Sequence, residues 1–387
     1  MLPDVITGTE RLFNEQAQLI HGRKIGLVTN HSGVDRQLRA TADRLHEASS
    51  CRLTALFGPE HGIRGDAADG ASVPTFQDPV TGVTVHSLYG ATNRPDVAAL
   101  AELDLLLFDV QDVGARFYTY LYTMTLSMAA CAEAGIPFVV LDRPNPLGGQ
   151  RLGGCLLAPE FASFVGLYPV PIQYGLTIGE FARLANEEYG IGADLTVVAM
   201  SGWRRRMLWE DTGLPWVPPS PNMPTPDTAL VYPGTCLFEG TNVSEGRGTT
   251  HPFEQIGAPW IDGHRLAAHL NRIELAGARF RPVCFRPTAS KHRDLVCQGV
   301  QVHVVERRAY DPVRAGLEMV AAVRHLWPGQ FAWHLPAAGI YNFDRLAGTD
   351  AVRLALEAET PVADIAATWS DDLSTYEAQR RACLLYD

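Results

Sequence analysis

The chain has 387 residues, of which 46% are hydrophobic and 19% are charged. This is enough for two ordinary domains, or for one large domain with an appendage, around a sizeable core. The 43 acidic and 32 basic residues give a net charge of −11, which argues against a general binder of nucleic acid or of anionic membranes. A local basic pocket remains compatible with this charge.

The cysteines and the N-terminus indicate the cellular setting. The seven cysteines are scattered and include no CxxC pair, so neither a zinc knuckle nor a disulfide framework is predicted, and we expect reduced, mostly buried thiols. The N-terminus has no basic segment followed by an apolar one, and no run approaches the roughly 18 apolar residues of a membrane span. We expect a cytoplasmic protein, or a periplasmic or secreted one if an export signal has been removed.

Strands and helices alternate through the first half of the chain. Apolar runs predict strands at residues 24–30, 53–57, 83–88, 105–110, 137–142 and 195–199. Helical patterns fall at residues 9–21, 40–48, 95–102, 117–134 and 177–189. Thr177 and Glu180 have the spacing of a capping box at the start of the last of these. The alternation predicts an α/β fold with a Rossmann-like, doubly wound parallel sheet.

The second half of the chain has a different pattern. Six prolines within residues 215–226 indicate an extended, stiff connector. Beyond it, residues 279–285 and 296–305 resemble antiparallel strands, residues 312–326 a helix, and residues 348–385 a mostly helical segment. We therefore predict a Rossmann-like domain over residues 1–229 and a smaller α+β domain over residues 230–387 that closes the active-site cleft.

The first candidate site follows the strand at residues 53–57. The chain there breaks on Gly58-Pro59 into a loop that carries Glu60, His61 and Arg64 among glycines. Loops that leave the carboxyl ends of parallel strands bind ligands in α/β proteins. An acid, a base and a cation on such a loop indicate a site, although an ordinary charged surface loop has the same composition.

Two further polar loops follow strands of the same predicted sheet. Asp109, Asp112, Arg116 and Tyr118 lie between the most apolar strand and a helix, where the two aspartates could bind sugar hydroxyls, ligate a metal or orient Arg116. Structural roles at a helix N-terminus and in an ion pair are equally compatible with them. The other loop follows the strand at 137–142, and its two prolines leave Arg143 and Asn145 little freedom.

The fourth candidate is the polar, glycine-rich segment 238–254. It contributes Glu239, Asn242, Glu245, Arg247 and His251 but has few apolar side chains of its own. Such a segment is either mobile or ordered against another surface. The crevice that holds Glu60 is the surface we expect it to contact.

Two carboxylates across a cleft, with arginines and aromatic residues around them, indicate a glycosidase, in which one acid is protonated and the other ionised. No GxSxG segment supports a serine hydrolase, and neither GxGxxG nor GxxxxGK[ST] supports a nucleotide cofactor, so no cofactor is predicted. His61, His251 and the aspartates could form a metal site, but no HExxH or similar pair fixes one. A non-catalytic sugar-binding protein and, more weakly, a metal-dependent hydrolase that uses Asp109, Asp112 and His61 are the alternatives.

Five segments resemble the exo-β-N-acetylmuramidases of the NamZ type: GPEHGIRGDAADG, DVQDVGARFYTYLYTM, LDRPNP, SPNMPT and YPGTCLFEGTNVSEGRGTTHPFEQIGAPW. The resemblance implies a Rossmann-like domain joined to a smaller C-terminal domain, with the active site between them. It also implies release of N-acetylmuramic acid from the non-reducing end of peptidoglycan fragments. One departure is that many relatives of this type carry an acidic residue shortly after LDRPNP, where this chain has Arg151-Leu152-Gly153-Gly154.

The resemblance makes Glu60 the best catalytic candidate, with the loop of Glu239 and Glu245 facing it and His61 beside it. Glu245, with Glu239 as the alternative, is the predicted second carboxylate. The candidates for substrate binding are Arg64, Asp109, Asp112, Arg116, Tyr118, Arg143, Asn145, Asn222, Asn242, Arg247 and His251. Four of them are arginines on site loops, and one is expected to bind the substrate's lactyl carboxylate. The expected partner is a peptidoglycan-derived saccharide, with no nucleic acid and no membrane. Retaining, inverting and acetamido-assisted mechanisms, and the oligomeric state, are left open.

Overall fold

A computed structural model describes residues 5–65, 75–90, 92–337 and 339–387. Its larger sheet has seven strands in the described residues, in the spatial order β3-β4-β2-β1-β5-β6-β7. All neighbouring strands are parallel except the short edge strand β3, which is antiparallel to β4. The strands are β1 (Lys24–Thr29), β2 (Arg52–Gly58), β3 (Phe76–Gln77), β4 (Thr84–Ser87), β5 (Leu105–Asp109), β6 (Phe138–Leu141) and β7 (Leu195–Val198).

Helices cover both faces of this sheet. They are α1 (Gly8–Glu15), α2 (Thr41–Glu47), α3 (Val97–Leu100), α4 (Tyr120–Ala134) and α5 (Ile178–Glu188). In β5, Leu105 and Leu107 pack with α1 and α2 in one core, whereas Leu106 and Phe108 pack with α4 and α5 in the other. Every residue of β5 is buried, and the apolar run from Leu105 to Phe108 is typical of a strand whose sheet is covered on both faces. The predicted doubly wound fold is confirmed.

The predicted capping box is also present at α5. The Thr177 hydroxyl accepts from the Glu180 amide, and the Glu180 carboxylate accepts from the Thr177 amide at 3.0 Å. Two backbone groups that a helix start leaves without partners are thereby satisfied. None of the described helices is long and apolar enough to cross a membrane. All seven cysteines are described as free thiols, and five of them are buried.

The second part of the chain contains a three-stranded antiparallel sheet in the order β8-β10-β9. Its strands are β8 (Gln255–Ala258), β9 (Ala278–Phe285) and β10 (Cys297–Val304). The helices are α6 (Pro226–Thr235), α7 (Gly263–Arg272), α8 (Pro312–Leu326), α9 (Asn342–Ala347), α10 (Ala351–Glu357), α11 (Val362–Ala367) and α12 (Ser370–Arg380). The sequence predicted β9, β10, α8 and the helical C-terminal segment, but not α6, β8 or α7.

The predicted division at residues 229 and 230 falls inside α6, which packs against α8 of the second part. The end of the chain returns to the first part, where the Leu385 amide donates to Glu180 at 2.8 Å and the Tyr386 hydroxyl bonds Asp142. The Arg380 guanidinium bonds two backbone carbonyls there. We therefore propose that the second unit begins with α6 and that the last dozen residues complete the first.

Candidate active site

A pocket of about 370 Å³ lies where the two parts of the chain meet. Its first-part wall consists of Glu60, His61, Tyr89, Phe117, Tyr118, Thr119, Tyr120, Phe164, Val165, Ser220, Asn222 and Met223. Its second-part wall consists of Tyr232, Glu239, Arg247 and Phe253. The pocket therefore brings together the strand-end loop of Glu60 and the glycine-rich segment of Glu239, which are almost 180 residues apart in sequence.

The loop that carries Glu60 is held in a tight turn. His61 and Gly62 adopt consecutive left-handed conformations with φ of 72° and 74°, and the Gly62 amide donates to the Pro59 carbonyl at 3.0 Å. A histidine is more tolerant of this conformation than most residues, but a positive φ at a non-glycine residue still stores strain. Ile63 is buried behind the turn and anchors it. Glu60 is thus fixed at the pocket wall.

The start of α4 lies beside Glu60. The Thr119 hydroxyl is 3.4 Å from Glu60 Oε2, and the Tyr120 hydroxyl donates to the Pro219 carbonyl at 2.8 Å. The Tyr120 hydroxyl is also 3.5 Å from the Glu60 carbonyl. These contacts join the Glu60 loop to the proline-rich connector, so the carboxylate faces the pocket from a rigid framework.

Glu239 lies on the opposite part of the chain, in a short 3₁₀ turn, Cys236–Gly240, that follows α6. Gly240 closes this turn against α9, where an added Cβ would lie 2.4 Å from the Cα of Phe343. The Arg247 guanidinium donates to Glu239 Oε1 through both Nε and Nη2, at 2.9 and 2.8 Å. Burial raises the pKa of Glu239, the Arg247 charge opposes this rise, and the Glu245 charge adds to it.

Glu245 lies behind this pair and is not part of the pocket wall. Its carboxylate is 1% exposed, 2.8 Å from the Lys291 ammonium and 3.6 Å from the Arg247 guanidinium. Lys291 also donates to the carbonyls of Phe238 and Val243, at 2.7 and 2.8 Å. Lys291 therefore fixes the backbone of segment 238–243, which carries Glu239. Sequence reasoning missed it, although Lys24 and Lys291 are the only lysines of the chain.

Aromatic rings connect the two carboxylate walls. Tyr118 packs edge-on against Tyr120 at 4.9 Å and Tyr232 at 5.8 Å, and Tyr232 packs against Phe253 at 4.7 Å. The Arg247 guanidinium lies 5.0 Å from the centre of the Phe253 ring. This continuous aromatic surface is suited to the apolar face of a sugar ring. Tyr118 was predicted as a site residue, whereas Tyr232 lies on a helix that the sequence did not reveal.

Two predicted arginines are instead engaged in structural ion pairs. Arg64 donates to both oxygens of Asp78, at 3.0 and 2.8 Å, and to Asp43 at 2.9 Å. The hydrogen bonds from Arg64 and Thr81 outweigh burial and lower the pKa of Asp78 to about 2. Arg143 binds both oxygens of the fully buried Asp109, at 2.6 and 3.0 Å. The structure thus places Arg64, Asp109 and Arg143 outside the pocket wall.

Three other predicted residues have structural roles in the protein interior. Arg116 is fully buried and donates to four carbonyls at 2.6 to 2.9 Å, those of Cys155, Val170, Leu346 and Ala347. Asn145 bonds the Leu176 carbonyl and the Leu147 amide, both at 2.9 Å. Asp112 accepts from Tyr174 and from the Gly114 amide, and burial raises its pKa to about 6. None of these three is part of the pocket wall.

Of the remaining predicted residues, Asn222 lines the pocket and two lie elsewhere. Asn242 bonds the backbone at Gln330 and Ala332 and so joins its loop to that segment. His251 is exposed, 3.3 Å from Glu254, in a groove next to the pocket. Residues 151–154, where the chain departs from the resemblance, are also outside the pocket wall, and residues 66–70 of the first motif lie outside the described residues.

The donors proposed for a metal do not converge. Within the described ranges, no three or more His, Cys, Asp or Glu side chains are grouped so that they could hold a metal ion. Asp109 already accepts from Arg143, Thr9 and Thr41. Asp112 accepts from Tyr174 and from the Gly114 amide, so the described residues offer no donor group for the predicted alternative of a metal-dependent hydrolase built on Asp109, Asp112 and His61.

The chain matches two family models that together span almost all of it. Residues 25–227 match the N-terminal region of exo-beta-N-acetylmuramidase NamZ, and residues 230–386 match its C-terminal region. The chain is 48% identical over 384 residues to the peptidoglycan beta-N-acetylmuramidase NamZ of Bacillus subtilis (strain 168), covering 99% of this chain and 92% of that protein.

Two solved structures have a similar fold along the whole chain. Both are DUF1343 family proteins from Bacteroides fragilis NCTC 9343, and each comparison covers 99% of both chains. The first has a TM-score of 0.91 and 36% sequence identity, and the second has a TM-score of 0.80 and 30% identity.

Proposed function

The chain belongs to the exo-β-N-acetylmuramidase NamZ family and is a glycosidase, and we propose that it releases N-acetylmuramic acid from the non-reducing end of peptidoglycan fragments. The observation that carries this proposal is the placement of Glu60 and Glu239 on opposite parts of the chain around one pocket. Glycoside hydrolysis requires two carboxyl groups in different protonation states near one bond. The aromatic surface between the two carboxylates supports a sugar as the occupant.

We assign Glu60 the role of general acid. Its side chain lies at the pocket wall beside the Thr119 hydroxyl, whereas Glu239 receives two hydrogen bonds from Arg247. Burial raises the pKa of Glu239, and the Arg247 guanidinium opposes this rise and so stabilises the ionised form that a base, a nucleophile or the group that orients the acetamido substituent requires. Glu239 therefore replaces Glu245 as the preferred second carboxylate, because Glu245 is buried behind Arg247. His61 shapes the Glu60 loop.

Arg247 is the preferred partner of the lactyl carboxylate. Among the four arginines that the sequence suggested, it is the one that lines the pocket, and the other three are bound to structural acceptors. A guanidinium can bind a carboxylate through two N–H groups at once, and Arg247 carries this group at the pocket wall. Arg247 would thus bind the lactyl carboxylate of the substrate next to Glu239.

Two leaving groups distinguish the roles of the carboxylates. The wild-type protein should hydrolyse both N-acetylmuramyl-N-acetylglucosamine and p-nitrophenyl N-acetylmuramide, with no change when a chelator is added. Glu60→Gln should lose about 10²–10⁴-fold in kcat on the disaccharide but much less on the nitrophenyl glycoside, because nitrophenolate leaves without a proton. Glu239→Gln should lose activity on both substrates.

Glu47→Gln, an exposed glutamate on α2, is the matched control and should be unchanged. An equal loss on both substrates for Glu60→Gln would refute its role as the acid. Tight binding of the disaccharide by the wild-type protein without any turnover would instead support the non-catalytic sugar-binding alternative.

A further inference from the structure

A larger groove of about 840 Å³ adjoins the pocket. Asn222 lines both cavities, and the chain passes from Arg247 in the pocket directly to Gly248 in the groove. The groove then follows β9, the edge strand of the smaller sheet, from Arg281 to Arg286. A ligand that fills the pocket could therefore continue into the groove without leaving the protein surface.

The groove is basic in a chain that is acidic overall. Among the described residues, Arg281, Arg286 and His251 line it, and no aspartate or glutamate does. The chain as a whole has 43 acids against 32 bases. A groove free of carboxylates on such a surface favours an anionic ligand, because the local potential is opposite to that of the whole chain.

The two arginines have no carboxylate partner among the described residues. Arg281 donates to the Gln301 side chain at 2.5 Å and Arg286 to the Asp294 carbonyl at 2.6 Å, and both are exposed. Each guanidinium keeps further N–H groups and an uncompensated charge. In contrast, Arg64, Arg143 and Arg247 each contact at least one carboxylate.

The loop that follows β9 is rigidly connected to the pocket. The Thr288 amide and hydroxyl both donate to the Gly248 carbonyl at 2.9 Å. Ser290, His292 and Asp294 have positive φ values of 62°, 55° and 63°, a strained course that persists only where the surroundings impose it. Lys291 on the same loop supports Glu239 through the Phe238 carbonyl. The loop after β9 therefore connects the wall of the groove to the segment that carries Glu239 in the pocket.

From this geometry, and resting on the proposed function, we infer that the groove binds the leaving-group side of the glycan and that the basic wall formed by Arg281 and Arg286 attracts the lactyl carboxylate of its next muramoyl residue. The polar wall of the groove, with Thr249, Thr250 and Thr288, supplies partners for sugar hydroxyls. The exo-acting site would then prefer chains in which a second muramoyl carboxylate is free.

The test measures binding in the Glu60→Gln background, so that intact substrates are compared. The probes are the disaccharide N-acetylmuramyl-N-acetylglucosamine, the tetrasaccharide that repeats it, and the same tetrasaccharide with its inner lactyl carboxylate converted to an amide. Calorimetry should show the charged tetrasaccharide binding about tenfold more tightly than the disaccharide, a typical gain for a charge-assisted contact near the surface. The amidated tetrasaccharide should lose most of this gain.

Arg281→Gln combined with Arg286→Gln should reduce the ratio of tetrasaccharide to disaccharide affinity to about one. Arg206→Gln, an exposed arginine outside the groove, is the matched control and should preserve the ratio. Equal affinities for the three probes, or a ratio unaffected by the double variant, would overturn the inference. The proposed function is judged separately, by wild-type turnover of the disaccharide.

Discussion

Lys291→Met removes the ammonium group beneath the pocket while keeping a flexible apolar side chain of similar length. The ammonium contacts the Glu245 carboxylate and the carbonyls of Phe238 and Val243, all within 2.8 Å. Removal of one member of a buried ion pair costs about 3–5 kcal/mol, because the other charge is left buried. Since the Lys291 side chain is 25% exposed, we expect a smaller loss of about 2–3 kcal/mol in the free energy of unfolding.

Urea unfolding of a double-mutant cycle isolates the charge interaction in this estimate. Glu245→Gln in the Lys291→Met background should recover part of the lost stability, with a coupling energy of about 1–2 kcal/mol. Lys24→Met is the matched control, because Lys24 is the only other lysine and is exposed at the start of β1. It should change stability by less than about 0.5 kcal/mol.

The same variant has an expected effect on catalysis. Without Lys291, the nearest cation to Glu245 is Arg247, which is 3.6 Å away and bound to Glu239. Arg247 should be drawn toward Glu245, so kcat should fall more than the loss of stability alone explains at temperatures where the variant is folded. Two results would contradict this role of the ammonium group. Either Lys291→Met would be as stable as Lys24→Met, or its coupling energy with Glu245→Gln would be near zero. In both cases Lys291 would not stabilise segment 238–243.

Two further predictions concern charge recognition and pH. Arg247→Ala should lower kcat/KM at least about tenfold more for muramic acid glycosides than for the matching glucosamine glycosides. An equal loss on both substrates would mean that another group binds the lactyl carboxylate. Burial raises the folded-state pKa of Asp112 to about 6, above the unfolded value of about 3.9, so its contribution to stability is complete below about pH 4 and is lost as the pH rises to 6. Asp112→Asn should therefore gain about 2 kcal/mol relative to the wild type between pH 4 and pH 7 in urea titrations, and a constant difference would contradict the raised pKa.

The elements that sequence predicted well are those whose pattern is produced by burial. The run Leu105 to Phe108 could only be a covered strand, and the capping box at Thr177 is a local motif whose partners are three residues apart. Helix α6 was missed because it contains Pro233 and Gly234, which locally favour a break. Gly234 is there for packing, since an added Cβ would lie 1.9 Å from the Pro312 carbonyl of α8. Such a contact between distant helices leaves no local signal.

The candidate site shows the same limit. The sequence placed Glu60, Glu239, Arg247 and Tyr118 on loops that the structure does bring to one pocket. Glu239 and Glu245 are six residues apart in one glycine-rich segment, and composition alone does not tell them apart. The two glutamates differ in their partners, because Glu245 forms a buried ion pair with Lys291, 46 residues further along the chain, whereas Glu239 lines the pocket. The role of a carboxylate therefore depended on a partner that only the folded chain identifies.

The arginines show why a polar strand end does not by itself mark a site. The parallel strands have the order of a dinucleotide-binding fold, with the topological switch point between β1 and β5. Here that crevice is filled, because Asp109 at the end of β5 accepts from Arg143 and Thr9, and the Thr29 hydroxyl of β1 donates to the Asp109 carbonyl at 2.8 Å.

Close packing at this point also explains the missing glycine-rich fingerprint. An added Cβ at Gly33 would lie 2.7 Å from the Asp109 carbonyl, so this glycine serves the contact between β1 and β5 rather than a phosphate. Once the switch point is occupied by a buried ion pair, the nearest loop free to face a ligand is the one after β2, which carries Glu60. The second part of the chain forms the opposite wall of the pocket, whereas a nucleotide-binding fold binds its ligand in the crevice of its own sheet. This wall contains Glu239 and Arg247, the carboxylate and the cation that hydrolysis of a charged sugar requires.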